Sequence, residues 1–341
     1  DRKRTQQLIK QELMRRFALP PYRAKQIYDW LNRRRVSDFT AMVNISRVVR
    51  EQLPQVFKAE GARVLETRSA ADGTRKYVWE VSPGVEVESV LIAQPGRNTL
   101  CVSTQQGCAM GCVFCRTAQM GLLSNLSAGD ILRQVLGVLG DGRETTLSNL
   151  VFMGMGEPLH NLQAVLRAVS ILGDPYGLGF GPRKITISTS GFVPGIEALG
   201  KSGLDVRLAV SLNAVTNELR SRLMPINRSY PLEVLIPALR RFPLGPRKRI
   251  TIEYILIDGV NDSEQDLEGL FSLLQGVRAK LNLIPYNPTP NLPFRTAPRE
   301  RLESWRLNLQ RRGLQTNIRW SKGAEIDGAC GQLALSRKEN G

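Results

Sequence analysis

Two rhythms of apolar residues divide the chain. In the first 60 residues the spacing is helical: Ile27, Trp30 and Leu31 share one face of RAKQIYDWLNRRR, with Pro20 and Pro21 as a start signal. Over residues 61–93 the period drops towards two in ARVLETRSA, TRKYVWEV and VEVESVLI. Asp72-Gly73 and Pro83-Gly84 break these runs, which predicts a small strand-and-hairpin region. From about residue 99, β-branched runs alternate with helical patterns: TLCVS, NLVFMGM, KITIST, VRLAVSL, RITIEYIL, KLNLIPY and NIRWS. One intervening stretch, 161–172, places Leu162, Val165, Leu166, Val169 and Leu172 on a single stripe. Another, around 131–139, is preceded by Ser127 and Asp130 in a capping-box arrangement.

Strands that are apolar nearly throughout are buried on both faces, so the alternation predicts an α/β fold with a parallel sheet covered by helices. Six or seven units fit a partial (β/α) barrel or a doubly wound sheet. In either, chemistry belongs at the C-terminal ends of the strands. The expected division is a basic helical region over 1–60, a β-hairpin linker over 61–93, the barrel over 94–323 and a C-terminal segment over 324–341.

Composition excludes several classes. With 341 residues, 42% hydrophobic and 23% charged, the chain is neither disordered, collagenous nor coiled-coil. Arg133 interrupts even ILRQVLGVLG, and no run approaches the roughly 18 apolar residues of a membrane helix. DRKRTQQLIK has no apolar core of a signal peptide. The expectation is a cytoplasmic protein with no membrane partner.

Charge points to a partner. Lys and Arg number 47 against 31 Asp and Glu, a formal +16, and residues 1–60 alone carry 14 basic against 6 acidic side chains. A second cluster, Arg240, Arg241, Arg247, Lys248 and Arg249, contains no acid. Such asymmetry is the footprint expected for a phosphate backbone. The basic stretches lack the Trp/Phe/Leu face of a membrane-surface helix.

The five cysteines are Cys101, Cys108, Cys112, Cys115 and Cys330, an odd number that argues against a disulfide scaffold. Cys108-Ala-Met-Gly-Cys112-Val-Phe-Cys115 directly follows the first strand of the alternating region, with Gly107 and Gly111 allowing a tight wrap. Three close thiolates suit zinc or an iron–sulfur cluster. Zinc needs a fourth ligand, and the one histidine, His160, has no partner motif. Three cysteines on a four-iron cluster leave one iron open, and the C-x3-C-x2-C spacing resembles that of radical S-adenosylmethionine enzymes.

The resemblance becomes specific along nearly the whole chain. PPYRAKQIYDWL, LCVSTQQGCAMGCVFCRTAQMG, FMGMGEPLHN, ITISTSG, SLNA, LIPYNP and IDGACGQL are similar to the RlmN/Cfr-type adenine methyltransferases. That family implies a partial barrel of the radical S-adenosylmethionine type, a 4Fe-4S cluster on Cys108, Cys112 and Cys115, and two S-adenosylmethionine molecules per turnover. It implies that Cys330 carries a methyl group to the RNA, that Cys101 releases the product through a transient disulfide, and that Glu88 is the proton acceptor. On the residues alone Glu88, like Glu86, reads as a solvated strand position.

The family further assigns Gly156 and Glu157 of the GEP turn, Ser188, Ser211, Leu212, Asn213 and Asn287 to the cofactor. Many relatives have His where Asn213 stands, so a His-specific role is not carried over. Serine and asparagine at strand ends are otherwise ordinary turn residues. Phe114 is expected to pack over the cluster rather than stack on RNA. The implied substrate is an adenine, at C2, in large-subunit ribosomal RNA and in transfer RNA next to the anticodon. The implied partners are these RNAs and an external one-electron reductant such as flavodoxin, acting on a monomer. The alternatives are C8 methylation, which confers antibiotic resistance, and a non-catalytic RNA-binding protein with a bound metal or cluster.

Overall fold

The seven strand runs form one parallel sheet in the order in which they occur. The structure, a computed structural model, describes residues 11–335 except 33, 35, 37, 57–60, 142–144, 176 and 290–291. Residues 11–17 (α1), Pro21–Asn32 (α2) and Arg47–Val56 (α3) are helical. They enclose a core of their own, with Leu13, Ile27, Met42 and Leu53 fully buried and Trp30 and Leu31 packed against it. One buried tie to the rest of the molecule is Tyr28, whose hydroxyl donates to Asp174 at 2.8 Å.

Strands β1 (Arg63–Ser69), β2 (Arg75–Ser82), β3 (Val85–Gln94) and β4 (Arg97–Cys101) form an antiparallel meander. A short hairpin, β5 (Gln105–Gly107) with β6 (Leu122–Asn125), brackets the cysteine loop, and α4 (Arg116–Gln119) lies inside it. The parallel part follows: α5 (Ala128–Leu139), β7 (Asn149–Phe152), α6 (Leu162–Leu172), β8 (Ile185–Thr189), α7 (Val193–Lys201), β9 (Arg207–Ser211), α8 (Asn217–Leu223), α9 (Leu232–Arg241), β10 (Ile250–Leu256), α10 (Glu264–Leu273), β11 (Ala279–Pro285), α11 (Arg299–Arg311) and β12 (Thr316–Ile318).

The ten-stranded order is β1-β2-β3-β4-β7-β8-β9-β10-β11-β12. A doubly wound sheet reverses its order at a switch point; this one does not, which leaves the partial barrel. Segment 61–93 pairs through β3 onto β4, so it extends the same sheet, and Val90 sits opposite Cys101. The inward residues Ile187, Leu208, Val210, Ile252, Leu281 and Leu283 are at most 1% exposed. Helix α5 starts at Ala128, three residues before the apolar pattern suggests, because the Ser127 side chain accepts from the Asp130 amide and Asp130 reciprocates.

Candidate active site

The C-terminal strand ends, where a barrel of this kind does its chemistry, receive the cysteine loop from β5 and a segment that returns after β12. Gly107 enters the loop at φ +74°, and a Cβ there would fall 1.9 Å from the Gly121 carbonyl oxygen. Only glycine permits that approach, which the Cys108 amide uses to donate to the same oxygen at 2.8 Å. Cys115 precedes α4, and the amides of Ala118 and Thr117 point at its sulfur. Phe114 is buried among Cys112, Cys115, Leu223 and Met224, as expected of a residue packing beside the loop.

Burial pushes the Cys108 thiol up to about 12, raises Cys112 well above the ordinary thiol range and raises Cys115 too. For Cys112 the neighbouring thiols Cys115 and Cys108 add to the effect, so the three share one enclosed space. Without a cationic group such a trio stays protonated; a soft, thiophilic cluster reverses that preference. The donor set therefore fits an iron–sulfur group. Zinc fits less well, since a structural zinc site takes four protein ligands and the loop supplies three. His160 is exposed, meets Gln105 Nε2 at 3.3 Å and packs edge-on against Phe192.

The returning segment carries Cys330. Asn287 Nδ2 donates to the Cys330 carbonyl at 3.0 Å, the Arg116 amide to Gly331 O at 2.9 Å, and Thr117 Oγ1 to Leu333 O at 2.6 Å. Gln332 Nε2 reaches Pro288 O at 3.1 Å. This lacing sets Cys330 near both Cys101 and Cys115, each of whose thiols it pushes upward. Cys101 ends β4, is 7% exposed, and burial pushes it up to about 12 while Arg319 opposes. All five cysteines are free thiols.

Glu88 departs from the reading of a solvated strand position. It is 1% exposed, lies 3.3 Å from the equally buried Lys76 Nζ, and its Oε2 accepts from the Ala334 amide at 3.0 Å. Burial raises its pKa above the usual carboxylate range, against Lys76 and the Ala334 bond. Alternation fails here because β3 is covered on both faces: Val87, Glu88 and Ser89 are all buried.

Among the residues assigned to the cofactor, Glu157 is already engaged. Its Oε2 accepts from the Ser190 amide and hydroxyl, both at 2.7 Å, and its Oε1 from the Leu159 amide at 3.1 Å. Gly156, at φ +97°, comes so close to Gln105 that a Cβ would meet its Cβ at 2.5 Å. Ser188 lies in β8 and Ser211 ends β9. Asn213 takes φ +58°, and its Oδ1 accepts from the Ile255 amide at 2.8 Å, which engages that oxygen in the sheet.

Four charged residues escaped the sequence reading. Arg220, fully buried, bridges the ends of β8 and β9 by donating to Ser190 O, Ser211 O, Leu212 O and Asn227 Oδ1. Arg319 donates to Glu253 Oε1 at 3.2 Å, and its pKa is held above the ordinary value chiefly by Cys330, with Glu253 and Cys101 adding. Lys76 and Arg116 complete the set. Only Lys76 left a trace in the sequence, as a cation in a strand whose neighbour offers carboxylates. The second basic cluster lies elsewhere: Arg247, Lys248 and Arg249 line a cleft with Arg278 and Arg312 at the N-terminal ends of β10 and β11. Of Arg33, Arg34 and Arg35, the first and third lie outside the described residues; Arg34 stacks 4.2 Å over Trp30 and pairs with Asp29.

A sequentially ordered parallel sheet with three loop thiols at its C-terminal edge defines a radical S-adenosylmethionine enzyme. The Radical SAM superfamily model matches residues 102–271, and that of the Ribosomal RNA large subunit methyltransferase N-terminal domain matches residues 6–59. The chain belongs to the RlmN family of radical S-adenosylmethionine RNA methyltransferases. It is 47% identical over 313 residues to the dual-specificity RNA methyltransferase RlmN of Syntrophobacter fumaroxidans, covering 92% of this chain and 91% of that one. A probable dual-specificity RNA methyltransferase RlmN of Moorella thermoacetica is 47% identical, covering 96% and 95%. A crystal structure of a radical SAM methyltransferase from Sphaerobacter thermophilus superposes with a TM-score of 0.90 at 43% identity, covering 95% and 96%.

Proposed function

We propose that the protein methylates C2 of an adenine in large-subunit ribosomal RNA and in transfer RNA next to the anticodon, through S-methylated Cys330 and two S-adenosylmethionine molecules per turnover. The observation that carries this is the delivery of Cys330 to a position near both Cys101 and the cysteine loop. The relatives named dual-specificity RNA methyltransferase support the two substrate classes.

C2 of adenine is an electron-poor sp² carbon without a lone pair, so simple displacement on a methyl sulfonium is closed to it. Cys330, as thiolate, takes the methyl group first by nucleophilic displacement. A cluster held by Cys108, Cys112 and Cys115 would supply the electron for reductive cleavage of the second S-adenosylmethionine. One C–H bond of the methyl group on Cys330 breaks, its hydrogen atom going to the 5′-deoxyadenosyl fragment that such cleavage would release, and the remaining CH2 bonds to C2. The adduct gives one electron back to the couple that supplied it, and Cys330 is left joined to the ring. Cys101, as thiolate, attacks the Cys330 sulfur: the S–S bond of a transient disulfide forms as the C–S bond breaks. The carbon leaves with that electron pair and takes up a proton to become the methyl group on the base. Arg319 favours the thiolate form of Cys101, against the burial that raises its pKa. Glu88, whose proton affinity is raised by burial, takes the ring proton. Ser188, Ser211, Leu212, Asn213, Asn287, Gly156 and Glu157 make up the cofactor side of the site in this reading.

Residues 1–60 bind RNA, with Tyr22, Lys25 and Arg47 exposed on their surface. Residues 61–93, 94–323 and 324–341 serve as sheet extension, catalytic barrel and methyl-carrying segment. The enzyme acts as a cytoplasmic monomer reduced by an external one-electron donor such as flavodoxin; no described helix is long and apolar enough to cross a membrane. Mass spectrometry of RNA treated with the reconstituted enzyme tests the reading. A methyl group at adenine C2 is expected; methylation at C8, or none, refutes it.

A further inference from the structure

The segment that carries Cys330 has no helix or strand between Gly328 and Leu335, so its position depends on cross-bonds to the barrel. Along the segment's backbone up to Leu333 the barrel donates to segment carbonyls, Arg116 N to Gly331 O, Asn287 to Cys330 O and Thr117 to Leu333 O, while the Gln332 side chain donates to Pro288 O. Ala334 reverses the polarity. Its amide is the donor, and the acceptor is Glu88 Oε2 at 3.0 Å, in the middle of β3.

That acceptor is an unusual one to bury. Glu88 and Lys76 are each 1% exposed, 3.3 Å apart, and Lys76 Nζ has no hydrogen-bond partner among the described residues. Removing two ions from water costs several kcal/mol each, and an apolar pair of similar volume is often no less stable. Stability of the sheet alone therefore gives no reason for the pair. Lys76 and Glu88 sit diagonally on neighbouring strands, where Lys76 opposes Val90 and Glu88 opposes Val78. The ammonium approaches Oε1 and leaves Oε2 for Ala334.

We propose that Lys76 is a positioning residue: with Glu88 it forms a buried latch that holds the Ala334 amide, and thereby fixes the methyl-carrying Cys330 over the strand ends. A hydrogen bond to a charged acceptor is roughly twice as strong as one to a neutral acceptor. Lys76 favours the charged form of that acceptor, against the burial that raises its pKa. The latch is compatible with Glu88 also accepting a proton. Its importance for methyl transfer rests on the reading of Cys330 given above, whereas the latch itself is measurable without turnover.

The test is amide hydrogen exchange at Ala334 together with the rate of Cys330 alkylation by iodoacetamide, read by mass spectrometry on the full chain. In Lys76→Met, exchange at Ala334 is expected to quicken by roughly tenfold, the effect of losing a charge-assisted bond, with faster alkylation of Cys330 and unchanged alkylation of Cys101. The double variant Lys76→Met/Glu88→Gln carries a neutral pair whose amide oxygen still accepts from Ala334. It is expected to recover most of the protection, and it covers the case in which the single variant fails to fold. Unchanged exchange and alkylation in Lys76→Met overturns the latch. So does a double variant in which the Ala334 amide is wholly unprotected. Either result would leave the RNA methyltransferase reading untouched, since that stands on the methylated base.

Discussion

Replacing Arg220 by Met should cost about 3 kcal/mol and loosen the strand ends that frame the site. The guanidinium donates to Ser190 O at 2.7 Å, Asn227 Oδ1 at 2.9 Å, Leu212 O at 3.1 Å and Ser211 O at 3.3 Å. Bonds from a charged donor contribute about 1.5–3 kcal/mol each, so four at the lower bound sum to roughly 6 kcal/mol. Against this stands the cost of burying the charge. Burial pushes Arg220 down to about 10, a fall worth about 3 kcal/mol at 1.36 kcal/mol for each tenfold change. The difference, about 3 kcal/mol, is of the order expected when removing a donor leaves buried neutral acceptors unpaired, at about 1–3 kcal/mol each. Urea unfolding followed by circular dichroism under anaerobic conditions should show the midpoint falling by up to about 1 M, since m is about 3 kcal/mol/M or more for a chain of this size.

Arg220→Lys separates charge from shape. A lysine restores the cation, but its compact ammonium cannot span four acceptors contributed by two strand ends and a helix turn. It should therefore recover less than half of the loss. A lysine variant as stable as the parent, or a methionine variant that loses under about 1 kcal/mol, would show that the fork holds nothing together.

Cys112→Ala leaves two loop thiols, too few to hold four irons, and should abolish both the visible charge-transfer absorption after anaerobic reconstitution and RNA methylation; retention of either refutes the ligand set. Cys101→Ala should trap a denaturation-resistant protein–RNA adduct on Cys330, and Cys330→Ala should form none. A remnant mapped elsewhere refutes the paired-cysteine mechanism. Because the Cys101 thiol is pushed up to about 12 and only its thiolate attacks, product release in single turnover should quicken about tenfold per pH unit from 7 to 9; a flat profile refutes that control. Neutralising Arg33, Arg34 and Arg35 together should flatten the log–log salt dependence of RNA binding by about two, at roughly 0.7–0.9 per phosphate contact. An unchanged slope means that they form a solvated face.

Most of the barrel could be read from the chain because its strands are locally self-describing. KITIST and RITIEYIL are apolar and β-branched on both faces, which only a covered parallel strand needs. Pairing across sequence distance left no such mark: nothing local in VEVESVLI announces that β3 lies against β4 and presents Val90 to Cys101. The cysteine loop was legible from spacing, since thiols are few and their chemistry is narrow. Arg220 and Arg319 were not, because an engaged cation and a solvated one are written with the same letter, and Lys76 left only the trace of carboxylates on the neighbouring strand. Glu86 and Glu88 show the limit plainly, two residues apart on one strand, one partly exposed and the other 1% exposed.

The thiols Cys101 and Cys330 lie on either side of the entire parallel sheet in sequence, on β4 and beyond β12. Chains emerge from the ribosome N-terminus first, at about 5–20 residues per second, and earlier elements can pack before later ones exist. The cysteine loop and most of the barrel can thus assemble while Cys330 is still unmade or inside the exit tunnel. The proximity of Cys101 and Cys330 is therefore a long-range contact that spans the sequence of β7 to β12 and exists only when the segment after β12 is laced to the barrel. If Cys330 carries the methyl group, as proposed, a chain whose segment after β12 is not yet laced into place holds no methyl carrier beside Cys101.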